Sequence, residues 1–324
     1  MKIEVIDNPG EEWDGFVAKY TGNIFFRSIW GRVLADGLEA KLSYCCFREN
    51  GEIVGGAPGI ILNYCCLKLY YSSLHYGGYL GEKRYVSRFY TELLAYLKGH
   101  ELKVDIAYIL PPLHDAVGPD NGEMKREKTA ITYVDIESKI LSELVFNSGV
   151  KQSLRRAEKL GLQFKICDDK ESMDKAFSLY VEAMKRNKAM VKYPLKWFDA
   201  IHSSLIEKGF ADLFMVFYEN NAIASVIALY SDDGIHLLNA GTSTGSLHLR
   251  ASDFIQHEII KIGIAKQKKY IDFMHSSPDD TKLIQWKEKF GSRTEYTDNF
   301  TLVNSRYKYM CWNAAKKIYP IFSR

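Results

Sequence analysis

Hydrophobic positions recur with two periods along the first part of the chain, and their order predicts alternating helices and strands. Apolar side chains in residues 13–20 are spaced as one face of a helix, and Ser28 is a suitable cap for a second helix. Two β-type runs at 42–47 and 52–62 flank Asn50-Gly51, a typical hairpin turn. Later predicted elements are a strand at 67–71, a helix at 86–97, and strands at 102–110 and 129–136.

The second part of the chain shows a similar order of patterns. It predicts helices at 140–146, 150–160, 172–188 and 195–208, strands at 162–167, 211–218, 222–230, 235–240 and 270–273, and a helix between the last two. A helix that returns after antiparallel strands favours a mixed sheet. We therefore predict an α/β protein of the α+β type, with two tandem domains whose mixed, largely antiparallel sheets are flanked by helices. The predicted domains are 1–136 and 137–303, and the tail 304–324 is expected to pack back on the first.

The charge of the chain is nearly balanced, with 43 basic and 40 acidic residues and a net charge of +3. This balance argues against a general nucleic-acid binder, and no DNA partner is expected. The tail is different, because no acid follows Asp298. Its basic and aromatic residues suit either contact with an anionic membrane surface or a terminal helix docked on the protein. They are Arg306, Tyr307, Lys308, Tyr309, Trp312, Lys316, Lys317, Tyr319, Phe322 and Arg324.

The cysteines and apolar runs indicate a protein of the cytoplasm. Four of the six cysteines are adjacent pairs, Cys45-Cys46 and Cys65-Cys66. Neighbours on a strand point to opposite faces, so reduced thiols are expected. The N-terminus lacks the apolar stretch of a signal peptide, and no run is long enough for a transmembrane helix. No Cys/His cluster has zinc spacing, so no metal is expected.

The stretch 270–291 carries the most informative candidate chemistry. A short strand, Tyr270 to Phe273, contains an acid and ends in a polar turn, and a helical segment with a lysine between two aromatic residues follows. Loops at the ends of strands are where α/β proteins bind ligands. The residues predict a ligand site there, but their spacing does not specify a reaction.

Five segments in this order resemble the Fem-type (FemABX) peptidyltransferases and their GNAT-like relatives. The fifth segment consists of two parts, 270–273 and 286–291, which are similar to a family pattern of Asp-Phe-Gly, a gap, and Phe-Lys-x-x-Phe-Gly. The matching segments are 26–30 (FRSIW), 52–58 (EIVGGAP), 72–78 (SSLHYGG), 154–161 (LRRAEKLG) and 270–273 (YIDF) with 286–291 (WKEKFG).

The resemblance implies two tandem GNAT-like domains that transfer an acyl or aminoacyl group to an amine. Donors in the family are acyl-CoA or aminoacyl-tRNA, so no cofactor is expected to be tightly bound and tRNA is a possible partner. Acceptors are nucleotide-linked or lipid-linked sugars, as in peptidoglycan and surface-polysaccharide precursors. Such an enzyme is expected in the cytoplasm or at the inner face of the membrane.

The chain departs from the family pattern at several places. Met274 stands where Gly is common, and Trp286 where Phe is common. No long heptad-patterned arm is evident, so the chain resembles an armless variant of the family. At the position of the usual GNAT pyrophosphate loop stands Leu249-Arg250-Ala251-Ser252 instead.

Three residues are the candidates for catalysis. Lys287 resembles the lysine of the Phe-Lys pattern, where a cation would stabilise the oxyanion or the departing group. Asp272 is placed either to accept the proton of the amine or to fix the turn after it by bonding backbone amides. His275 is a second candidate base. No nucleophile elbow is present, so direct transfer is the simpler mechanism.

Other residues are candidates for binding. Arg155 and Arg156 suit a diphosphate, although a solvated basic face would look the same. Backbone at Tyr76, Gly77 and Gly78 can approach a ligand closely. Residues assigned through the resemblance are Trp286 and Phe290 for substrate, and Arg250, Ala251 and Ser252 for the donor phosphate.

The sequence therefore predicts an N-acyltransferase acting on a cell-envelope or surface-polysaccharide precursor. Two alternatives remain: a small-molecule or protein N-acetyltransferase, and a non-catalytic sugar-binding member of the fold. The lysine at 287 favours an enzyme.

Overall fold

The computed structural model describes residues 2–64, 66–99, 102–111, 118–119 and 122–322, with the backbone alone for 316–322. It divides into two compact units, Met1–Thr129 with Tyr296–Ile318 and Ala130–Glu295 with Tyr319–Arg324. The predicted boundary after residue 136 lies inside the second unit.

The first unit contains two sheets. Three of its helices come before its last two strands in the sequence. One sheet has the order β1-β3-β4-β7 and the other β15-β8-β6-β5-β2. The helices are α1 (Glu11–Tyr20), α2 (Ser28–Leu38) and α3 (Val86–Lys98). The strands are β1 (Glu4–Ile6), β2 (Lys41–Leu42), β3 (Tyr44–Glu49), β4 (Glu52–Ala57), β5 (Ile60–Tyr64), β6 (Leu67–Tyr71), β7 (Leu80–Gly81), β8 (Ile106–Ile109) and the end of β15 (Arg293–Val303).

The second unit is built on a sheet of order β10-β11-β12-β13-β14-β9. Its strands are β9 (Lys125–Asp135, from residue 130), β10 (Gln163–Cys167), β11 (Ala211–Tyr218), β12 (Asn221–Tyr230), β13 (Gly234–Thr242) and β14 (Tyr270–Ser276). Its helices are α4 (Ser148–Leu160), α5 (Lys170–Arg186), α6 (Leu195–Ile201), α7 (Ala251–Ala265) and α8 (Thr281–Glu288). A buried apolar cluster joins α4 and α7 to the sheet through residues such as Val150, Ile255 and Val226.

Both units contain a meander followed by a helical crossover. In the first, α3 connects β6 to the parallel strand β8; in the second, α7 connects β13 to the parallel strand β14. The other assigned pairings are antiparallel. The predicted α/β class with mixed, largely antiparallel sheets is therefore confirmed.

Two predicted elements differ from the observed ones, and one observed strand was not predicted. The strand at 52–62 is interrupted at Pro58-Gly59, where a Cβ on Gly59 would lie 2.2 Å from the Ser43 carbonyl oxygen. The predicted helix 140–146 is only a short turn, because extended backbone leads to Asn147, whose side chain caps α4. The long strand β15 was not predicted.

The C-terminal tail forms helix α9 (Arg306–Phe322). Lys308 Nζ lies 2.9 Å from Asp105, and the Trp312 ring stacks on Tyr64 in the same unit. The described start of the tail is therefore docked on the protein, and membrane contact stays a prediction. The side chains of Lys316, Lys317, Tyr319, Phe322 and Arg324 lie outside the description, as does Cys65. Within the described part of the chain, no helix is long and apolar enough to cross a bilayer.

Candidate active site and basic cavity

The register of two parallel strands in the second unit sets the position of Asp272. Strands β13 and β14 are paired at three positions, the last of which places His236 beside Asp272. Both side chains are buried, at 1% and 3% exposure. Asp272 Oδ2 lies 2.8 Å from His236 Nδ1, and His236 Nε2 lies 2.8 Å from Ser231 Oγ.

Asp272 also shapes the turn that follows it. Its Oδ1 accepts a hydrogen bond of 2.7 Å from the backbone N–H of Met274. Met274 has φ of 62°, and the pairing of β14 with β9 shifts between Asp272 and His275. Bonding of a short acid to the amide two residues on stabilises such a turn. The turn-fixing role considered for Asp272 is thus present in the structure.

Lys287 lies at the end of α8 with its amine directed at this turn. Only 4% of the residue is exposed. Its Nζ donates to the Met274 carbonyl oxygen at 2.8 Å and to Ser276 Oγ at 2.7 Å. These two bonds use two of the three hydrogens of the ammonium group. Asp272 and Lys287, which are 15 positions apart in the sequence, therefore meet at one turn.

The environment of Lys287 changes its acid–base behaviour. Burial lowers the pKa of Lys287 from 10.5 to about 8, and the charges of Asp272 and Asp280 oppose that decrease. A charged amine is disfavoured where water is excluded, and nearby carboxylates favour it. At about pH 8 the group is populated in both protonation states, which suits proton transfer.

A cavity of about 540 Å³ lies in the same unit, beside the start of α7. This volume falls in the range of small-ligand pockets. Five basic side chains from three segments line it together with Gly149, Gln152, Ser153 and Asp253; they are Arg155, Arg156, Lys159, Arg250 and Lys289. The predicted substrate residues Arg155 and Arg156 and the predicted donor residue Arg250 therefore face one cavity.

Asp253 is the one acid among the described residues that line this cavity, and it is 5% exposed. Ser153 Oγ donates to its Oδ2 at 2.7 Å, and Trp286 Nε1 donates to its Oδ1 at 3.1 Å. These bonds tie α4, α7 and α8 together. The predicted substrate residue Trp286 thus supports the cavity by holding Asp253.

The start of α7 gives the predicted donor residues different surroundings. Arg250 precedes the helix with φ of 60° and is exposed, whereas Ala251 is fully buried and Ser252 is half-buried. The first amides of a helix have no partner within the helix and favour an anion nearby. Arg250 is the one of the three that lines the cavity.

Other predicted residues lie apart from this cavity. Phe290 is wholly buried against Phe273 and Trp286, so its ring contacts the core. His275 is half-buried and paired with Ile131 of β9.

The predicted loop 76–78 belongs to the first unit. Tyr76 is buried and packs edge-on against Phe25. Gly78 has φ of 99°, and a Cβ on Gly77 would lie 1.3 Å from the Ser72 carbonyl oxygen. Glycine is therefore required by the fold of this loop, and a role in binding stays a prediction.

Sequence reasoning missed Ser231, His236, Asp253 and Ser276. The available signal was weak: His236 interrupts an apolar run in a strand, and its partner depends on the register of β13 with β14. The residues that the structure describes include no cluster of three or more His, Cys, Asp or Glu side chains fit to hold a metal.

Comparison with known protein families gives one match in the second unit. Residues 146–288 match the family described as an acetyltransferase (GNAT) domain. This range includes α4, α7, Asp272 and Lys287. No curated protein sequence matched the chain.

Solved structures share the fold over nearly the whole chain. FemX is 15% identical with a TM-score of 0.72, covering 96% of this chain and 99% of its own. L-PGS from Bacillus licheniformis is 13% identical with a TM-score of 0.62, covering 96% and 97%. A tandem GNAT protein from the clavulanic acid biosynthesis pathway is 8% identical with a TM-score of 0.61, covering 94% and 98%. The predicted tandem GNAT-like fold is confirmed by these likenesses.

The lowered pKa of Lys287 predicts a pH-dependent stability. Between pH 8 and 10.5 the unfolded chain holds a proton on this lysine that the folded chain has lost, so stability rises with pH. We expect the free energy of unfolding of the wild type to increase by about 2–3 kcal/mol relative to Lys287→Met between pH 7 and 10. Urea unfolding at a series of pH values measures this difference, and Lys282→Met, on the exposed face of α8, is the control. Equal pH slopes in wild type and Lys287→Met would contradict the assignment.

Proposed function

We propose that this chain, whose residues 146–288 match an acetyltransferase (GNAT) domain, transfers an acyl or aminoacyl group to an amine of a cell-envelope precursor. The donor is an acyl-CoA or an aminoacyl-tRNA, and its phosphates occupy the basic cavity beside α7. Transfer is direct: the amine nitrogen attacks the acyl carbon to form a tetrahedral oxyanion, and the bond to the leaving sulfur or oxygen then breaks as the carbonyl reforms. The amine loses one proton in this reaction, and the leaving group takes one up.

The basic cavity is the observation that carries this proposal. Five cations surround it, and the acid among its described lining residues is already bonded to Ser153 and Trp286. Guanidinium groups bind phosphate through paired hydrogen bonds, and the start of a helix adds a favourable field. CoA and the ends of tRNA both present phosphates, so the cavity suits either donor.

Lys287 supplies the group for proton transfer near this cavity. Its neighbour Trp286 bonds Asp253 in the cavity wall, and Lys289 also lines the cavity. In its charged form the amine stabilises the tetrahedral oxyanion or gives a proton to the leaving group. Its pKa of about 8 keeps this proton transferable at neutral pH.

The choice of acceptor is supported by the structural likenesses. Among the solved structures that share the fold, one is FemX and another is the C-terminal domain of a putative lysylphosphatidylglycerol synthetase from Agrobacterium fabrum. These likenesses support aminoacyl transfer to an envelope component, and the Fem-type segments of the sequence favour an amine on a nucleotide-linked or lipid-linked sugar. A cytoplasmic location, or one at the inner membrane face, follows from such an acceptor.

The cavity predicts how donor binding responds to substitution. We expect Arg155→Ala/Arg156→Ala to weaken binding of acetyl-CoA or of charged tRNA at least tenfold, because two charge-assisted contacts are removed. Calorimetry with each donor at fixed salt measures the change. Lys151→Ala is the matched control, since Lys151 lies on the same helix and is absent from the described lining of the cavity. Equal weakening by Lys151→Ala, or none by the double variant, would argue against the cavity as the donor site.

The position of Lys287 predicts the effect of its loss on turnover. A mass-spectrometric screen of acyl-CoAs and charged tRNAs against nucleotide-sugar amines first identifies a productive pair. With that pair we expect Lys287→Met to reduce kcat by about 10²–10³, because a preorganised donor to the oxyanion is lost. Lys282→Met should remain within about twofold of the wild type. Near-wild-type turnover by a folded Lys287→Met protein would exclude this role.

A further inference from the structure

Three buried side chains form a continuous hydrogen-bonded row beneath the turn that Lys287 contacts. They are Ser231, His236 and Asp272, and their exposures are 4%, 1% and 3%. Both links measure 2.8 Å, from Ser231 Oγ to His236 Nε2 and from His236 Nδ1 to Asp272 Oδ2. Each ring nitrogen of the histidine therefore has a partner.

Contacts of the backbone fix the positions of Ser231 and Asp272, the residues at the two ends of this row. The Ser231 N–H donates to the Gly234 carbonyl oxygen at 2.9 Å, which closes the turn between β12 and β13. Lys268 Nζ donates to the Ser231 carbonyl oxygen at 2.7 Å. At the other end, the parallel register of β13 and β14 places His236 directly beside Asp272. The Tyr270 ring meets the histidine ring nearly at a right angle.

The row continues from Asp272 to the lysine amine. Asp272 Oδ1 accepts from the Met274 N–H, and the Met274 carbonyl oxygen accepts from Lys287 Nζ. Five residues are thus linked by four hydrogen bonds, the last two of which are joined through the backbone of Met274. The same order of Ser, His and Asp occurs in hydrolase triads. Here, however, Ser231 is buried and lies outside the described lining of the basic cavity beside α7.

We propose that Ser231 and His236 are positioning residues, which hold Asp272 so that Met274 keeps its left-handed conformation and presents its carbonyl oxygen to Lys287. The inference rests on the proposed function for the chemical role of Lys287. A left-handed conformation is unfavourable for methionine and persists only where surrounding contacts impose it. Asp272 imposes it through Oδ1, and His236 fixes the carboxylate through Oδ2.

Replacement of the histidine separates positioning from simple packing. His236→Leu fills similar space but donates nothing to Asp272, whereas His236→Asn keeps a donor near the position of Nδ1. We expect the Met274 amide to exchange with deuterium at least tenfold faster in His236→Leu. We also expect Lys287 to be acetylated by a small reagent at least tenfold faster. His236→Asn should restore both towards the wild type.

A control amide and a second variant determine which results support the proposal and which overturn it. The amide of Val226, in the centre of the sheet, should exchange at the wild-type rate in every variant. If His236→Leu does not fold, Ser231→Ala is measured in its place. Faster deuterium exchange of the Met274 amide in Ser231→Ala than in the wild type then supports the proposal. Unchanged exchange at Met274 in the folded variants overturns it, and so does a failure of His236→Asn to restore protection. Neither readout needs a donor or an acceptor, so failure here is distinct from failure of the proposed transfer reaction.

Discussion

Burial of one lysine amine is the constraint on which the candidate active site depends. An ammonium group removed from water is unfavourable unless hydrogen bonds and opposite charge compensate it. Lys287 has two acceptors, the Met274 carbonyl and Ser276 Oγ, and the charge of Asp272 favours its protonated form. The compensation is incomplete, which leaves a pKa of about 8 in place of 10.5. That partial compensation suits the group to the proton transfer proposed for it, at some cost in stability.

The charges of the basic cavity differ from that of Lys287, because the cavity cations face open space and are not buried. Arg155, Arg156 and Lys159 come from α4, Arg250 from the start of α7 and Lys289 from the end of α8. Like charges brought together in this way repel one another, and a bound anion would relieve the repulsion. The buried bonds of Asp253 hold the three segments in place and leave that acid less available to neutralise them. In the proposed function, donor binding depends on these cations and proton transfer on Lys287, which is two residues before Lys289.

Local patterns predicted the elements well where one face of an element is buried. Strand 211–218 was predicted with its observed bounds. The helix predicted at 150–160 lies within α4, and the helix predicted between strands 235–240 and 270–273 corresponds to α7. Lys287 and the cavity arginines were found through family resemblance and residue chemistry. His236 could not be found in this way, because its partnership depends on the pairing of two strands separated by α7. The left-handed conformation at residue 274 could likewise not be predicted from the sequence. Methionine rarely adopts a positive φ, whereas Gly, which is common there in the family, does so readily.

Direct titration of the Lys287 side chain is the most direct test of this account. Lysine labelled with ¹³C at the ε carbon can be followed by NMR from pH 6 to 11, and Lys287→Met assigns the signal. The account predicts a midpoint near 8 for Lys287, well below the ordinary lysine value of about 10.4. A Lys287 midpoint at that ordinary value would contradict the buried, proton-transferring role assigned to this amine.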